Sequence, residues 1–204
     1  MTSGAAEGAA SADLRRTVAW VAALNLGYFF VEFTVARAIG SVSLYADSID
    51  FLEDTAVNLL VLLALGWSAR WRARVAVGLA ALLLVPSALA LWTAWQKFLL
   101  PLPPAALPLS LAALGALAVN LLCALLLARV RHHGGSLVRA AYLSARNDAA
   151  ANVAILGAAA VTKAWASAWP DLIVGLGILL LNADAARDVL VAARREGLQN
   201  DAAA

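Results

Sequence analysis

The sequence predicts an all-α integral membrane protein of six transmembrane helices with both termini in the cytoplasm. Three observations carry that expectation. The 204-residue chain is 63% hydrophobic and only 14% charged, a balance typical of chains that live in lipid. Its apolar residues fall into six runs, each long enough to cross a hydrocarbon core of about 30 Å. Its arginines gather at alternate ends of those runs.

Residues 1–14 are small and polar, carry Glu7 and Asp13, and have no leading basic residue. They make a poor signal peptide, and residues 1–16 are expected as a disordered cytoplasmic tail. The membrane domain is expected over 17–192, with 193–204 a short cytoplasmic tail. Within it the spans read as 17–39, 44–66, 73–97, 105–128, 137–161 and 170–191. Arg70, Trp71, Arg72 and Arg74 separate the second from the third. Pro101, Pro103 and Pro104 separate the third from the fourth, and Arg129–Gly135 the fourth from the fifth. Pro86 should kink the third span unless its neighbours satisfy the freed carbonyl.

Orientation follows from Lys and Arg. With the N-terminus inside, cytoplasmic segments hold Arg15, Arg16, Arg70, Arg72, Arg74, Arg129, Arg131, Arg139, Arg187, Arg194 and Arg195. Only Arg37, Lys97 and Lys163 fall outside. Trp92, Trp95, Trp165 and Trp169 near the external ends fit an interfacial belt. The single cysteine, Cys123, excludes a disulfide within the chain.

The second span is unlike the others. Asp47, Asp50, Asp54 and Asn58 fall within roughly 80° of one helix face, with Glu53 beside them. An Asp at a membrane helix centre costs about 2.5–3.5 kcal/mol, whereas each Leu, Ile, Val or Phe contributes only about 0.3–0.6. Asp50 and Asp54 alone therefore cancel most of the apolar gain, so this stripe must face helices, water or a cation. An i, i+4 spacing places two ligands about 6 Å apart. In the first span Asn25 and Glu32 share a face with Tyr28 between them, and are expected to line the cavity or its entrance. In the fifth span Ser144, Asn147, Asp148 and Asn152 share one side, while Arg146 points away and is expected to neutralise a carboxylate or mark an aqueous vestibule. Asn182, Asp184, Arg187 and Asp188 read as a solvated end of the sixth. For Asp47, helix-end capping or gating is expected rather than direct ligation.

With these residues placed, the chain resembles the cation diffusion facilitator family of divalent-metal/proton antiporters. The similarity covers all six spans, about residues 17–192. Its most specific parts are Gly40-Ser-Val-Ser-Leu-Tyr-Ala-Asp-Ser-Ile-Asp-Phe-Leu-Glu-Asp54, Val138-Arg-Ala-Ala-Tyr-Leu-Ser-Ala-Arg-Asn-Asp148 and Trp169-Pro-Asp-Leu172. The resemblance implies a metal held between Asp50 and Asp54 on the second helix and Ser144 and Asp148 on the fifth. Ser144 stands where the family usually has His or Asp. Asp47, Glu53, Asn147, Asn152, Glu32 and Asn25 are expected around the metal or on a proton path, with a hydrogen bond to a neighbouring helix the alternative for Glu53, and the resemblance implies that Asn147 assists at the metal. The chain reads as a short subgroup without the C-terminal cytoplasmic domain common in the family.

The implied function is proton-coupled efflux of a divalent transition metal by alternating access, in a homodimer in the plasma (inner) membrane. Zn, Cd, Co, Mn or Fe would be substrate, and no prosthetic group or nucleic-acid partner is expected. Two other readings stand beside it. One is a transporter or channel for another cation; the other is a non-transporting subunit whose buried acids bind a partner helix. Enzyme signatures do not survive inspection. The Cys123 to Arg129 match to C-x5-R lies in a membrane helix whose amides are already bonded, so it cannot cradle a phosphate. No G-x-S-x-G or H-E-x-x-H occurs. His132 and His133 read as plain solvated loop.

Overall fold

The computed structural model describes residues 3–64, 69–131 and 135–182. Among the described residues every regular element is an α-helix: α1 Ser3–Ile39, α2 Val42–Ala64, α3 Ala69–Leu99, α4 Ala106–Val130, α5 Gly135–Trp165 and α6 Trp169–Asn182. The six helices match the six expected spans. Several ends differ: α5 runs four residues further than expected, and Arg70, Trp71, Arg72 and Arg74, expected as a break between spans, lie in the first turns of α3. The backbone of 3–16, expected as an irregular tail, continues α1, as the run of alanines there favours. α3 runs through Pro86 without interruption.

α2 is the central helix, touching α1, α3, α4 and α5. α4 and α5 form the most closely packed pair, and α1 also packs on α4. The turn from α1 to α2 is short because Gly40 takes a left-handed φ of +63°. That lets Ser41 N–H reach back to Ala36 O at 3.1 Å, as in a Schellman ending. α2 and α6 run parallel and meet at Gly175, where an added Cβ would stand 2.6 Å from Ser43 N. On the other side of the bundle, Gly115 leaves room for the Tyr28 hydroxyl, which donates to Ala112 O at 2.6 Å.

Burial is inverted relative to a protein in water. Leu84, Leu107, Leu125, Leu180 and Leu181 are 64–72% exposed, whereas Glu32 and Asp47 are fully buried and Asp54 nearly so. A surface of this kind suits hydrocarbon, where polar groups must be satisfied inside the bundle. By length and composition alone, only 12–39 of α1 and all of α4 qualify as spans among the described helices. α2 carries four carboxylates within its length, and their burial is what keeps them off the lipid face. Trp92, Trp95, Trp165 and Trp169 are all exposed, and Phe98 meets Trp169 edge-on with ring centroids 6.3 Å apart. The last turn of α3 therefore sits beside the start of α6.

Candidate functional site

α2, α5 and α6 enclose a cavity of about 410 Å³ lined by Asp50, Glu53, Asp54, Ser144, Asn147, Asp148, Ala151, Ile178, Leu181 and Asn182. The helical repeat explains the α2 contribution. Asp50 and Asp54 lie one turn apart, and Glu53 between them turns toward the same opening. On α5 the same spacing presents Ser144 and Asp148, with Asn147 beside them. Four carboxyl groups share this wall with no Lys or Arg among the lining residues. Such a concave wall of one sign concentrates cations.

The polar side chains around it hold the carboxylates in place. Asn182 of α6 donates to Asp50 Oδ1. Asn25 of α1 donates from Nδ2 to Asp54 Oδ2 at 3.5 Å, the outer limit for such a bond, and accepts from Cys123 Sγ at 3.5 Å. Asn58 donates to Asp54 O at 2.7 Å. The Ser144 hydroxyl is close to the carboxyls of both Asp54 and Asp148. Among the described residues no three His, Cys, Asp or Glu are drawn together tightly enough to hold a metal ion. The cavity has room for on the order of ten waters at about 30 Å³ each, enough for a cation that keeps part of its hydration shell.

Several expectations need correction. Asn182, expected as part of a solvated helix end, is half-buried, lines the cavity and bonds Asp50. Asn25 and Glu32 do not line the cavity. Both are fully buried behind it. Asp47 is not a helix-end cap, since it lies more than a turn inside α2 and is fully buried. It accepts from Asn152 Nδ2 at 3.2 Å and is close to the Glu32 carboxyl. Asn152 also donates to Asp148 O at 2.9 Å and stays out of the cavity lining. Glu32 Oε1 and Oε2, Asp47 Oδ2 and Asn152 Oδ1 meet no hydrogen-bond donor among the described residues. Arg146 is exposed and forms no ion pair with a described carboxylate. His132, His133, Asp184, Arg187 and Asp188 lie outside the described residues.

The model of the cation efflux transmembrane domain matches residues 18–196. The chain belongs to that family. It is an integral membrane protein of the cation-efflux class, and its substrates are metal cations. No individually curated protein matches the chain. In this cation efflux domain the residues carried over by motif, Asp50, Asp54, Ser144 and Asp148, all line one cavity.

Sequence reasoning named Ser41, Ser43, Lys97 and Asp171 separately but missed that they meet. Asp171, in the first turn of α6, accepts from Val42 N at 2.9 Å, Ser43 N at 3.2 Å, and the hydroxyls of Ser41 and Ser43 at 2.6 Å each. Lys97 Nζ lies 2.7 Å from Oδ2, the oxygen that also accepts from Val42 N. Lys97, expected among the external charges at the end of its span, is only 6% exposed. An Asp next to a Pro at a helix start was the available signal. It would have suggested a cap for α6, whereas the groups capped belong to α2.

Proposed function

We propose that this protein exports a divalent transition-metal ion from the cytoplasm in exchange for protons, with Asp50, Asp54 and Asp148 as its ligands and Ser144 beside them. The observation that carries this reading is the convergence of those carboxylates from two helices on one cavity, with no basic residue among the described residues that line it. Carboxylates bind metal only when deprotonated, so metal entry expels protons and protonation from the far side ejects the metal. Neighbouring carboxyls at such a site titrate as a group. Asn182 and Asn147 orient the ligands and exchange places with water as the ion sheds its shell.

The cavity is wide, so ligation at metal–oxygen distances requires α2 and α5 to close on the ion. Alternating access then amounts to rocking these helices about their packed partners. The arginine distribution supports cytoplasmic termini. A Zn-like substrate, a homodimer and the plasma membrane rest on family resemblance.

Purified protein in proteoliposomes tests the reading. Efflux of Zn²⁺, Cd²⁺, Co²⁺, Mn²⁺ or Fe²⁺ should be accelerated by an opposing pH gradient and should move protons the other way. Flux indifferent to the gradient would remove the antiport. No flux of any metal would favour a subunit role.

A further inference from the structure

We infer that Asp171 with Lys97, Ser41 and Ser43 forms a latch that closes the ion path at the external ends of α2 and α6, and that it opens once in each transport cycle. The inference rests on the alternating-access reading above. The latch lies at the opposite end of the same helix pair from the cavity. At 1.5 Å per residue Asp171 and Asn182 lie about 16 Å apart along α6, and their partners Ser43 and Asp50 about 10 Å apart along α2. The two helices run in the same direction and are joined at two levels, by Asp171 at one end and by Asn182–Asp50 within the cavity wall.

Several features make the outer junction a closure rather than a simple brace. It is buried: Asp171, Ser41 and Ser43 are fully covered and Lys97 almost so, with a second cavity of about 500 Å³ on the Lys97 side. It holds a buried ion pair, Lys97 with Asp171. It recruits three helices, since Lys97 comes from α3 and the amides of Val42 and Ser43 from the start of α2. Apolar contact of Val42, Ala94 and Leu172 seals the same junction, and Gly175 brings the backbones together just below it. A buried ion pair is weak evidence for stability, because desolvation offsets its attraction. Its best-attested use is to specify one of two arrangements. When the end opens, water reaches Lys97, Asp171 and the freed α2 amides together, so both states satisfy their polar groups.

The test uses single-cysteine protein in a Cys123→Ala background, with Ala151→Cys reporting on the cavity wall. In reconstituted vesicles of known orientation, a membrane-impermeant thiol reagent should label that position rapidly from the cytoplasmic side and slowly from outside. Lys97→Gln should raise the external labelling rate at least tenfold, and Lys97→Arg should restore the slow rate. An unchanged external rate in folded Lys97→Gln protein overturns the latch. A second arm links Val42→Cys to Leu172→Cys with a short thiol cross-linker. Metal flux should fall at least tenfold on linking and recover when the link is reduced. Full flux through the linked protein overturns the proposal. If the wild type carries no cation, the proposed function fails, and the labelling arm still decides whether this end is closed by Lys97.

Discussion

Asn182, the last described residue of α6, donates its side-chain amide to Asp50 on α2. The bond makes α6 a wall of the cavity and gives Asp50 a neutral partner beside the carboxyls of Glu53, Asp54 and Asp148. Asn182→Leu should weaken metal transport at least tenfold, by leaving Asp50 free to turn away. Asn182→Asp, which keeps the shape but adds a charge, should tighten metal binding while slowing release. Radiotracer flux together with equilibrium metal binding separates the two effects. Equal activity in Asn182→Leu would place Asp50 outside the working site.

The three carboxylates differ from the polar residues behind them. Asp54→Ala and Asp148→Ala should each abolish transport in protein that still inserts and elutes as a folded species, with Asp50→Ala nearly as severe. His132→Ala combined with His133→Ala should keep most activity. Unchanged flux in Asp54→Ala would mean that the acidic stripe serves only helix packing.

Ser144 sets the chemistry of the site. With Asp50, Asp54 and Asp148 it makes an all-oxygen set, which suits Mn²⁺ and Fe²⁺, while the general affinity order still puts Zn²⁺ above Mn²⁺. Weak discrimination with Zn²⁺ carried is therefore the expectation. Ser144→His should raise the Zn²⁺ and Cd²⁺ fluxes relative to Mn²⁺. A constant flux ratio in a folded variant would show that position 144 does not touch the ion.

The close approach of α2 and α6 makes a prediction about stability. Even Gly175→Ala would set its Cβ against the backbone of Val42 and Ser43, at 2.6 Å from Ser43 N. Overpacking of this kind costs about 1–3 kcal/mol. Thermal unfolding in detergent should show the loss, and it should be larger than for Gly157→Ala, where nothing lies within 4 Å. Equal midpoints would mean that the two helices part easily at this level.

Much of this protein could be read from its sequence by itself. Residues one helical turn apart share a face whatever surrounds the helix, so the stripe of Asp50 and Asp54 and the facing Ser144 and Asp148 were legible at once. The cost of charge in lipid made it certain that α2 could not be bare to the membrane. What only the tertiary structure decided is which helix meets which. Asn182 looked like a solvent-facing end because nothing in its own segment reveals that α6 lies parallel to α2. Glu32 and Asn25 share a polar face as expected, but the packing of α1 sets that face behind the cavity instead of inside it. Lys97 read as an external charge at the end of its span, and only the packing of α3 and α6 against the start of α2 joins it to Asp171, which also holds the first amides of α2. Periodicity is a local property of the chain, whereas the partner of a buried polar group is chosen by contacts between residues far apart in sequence.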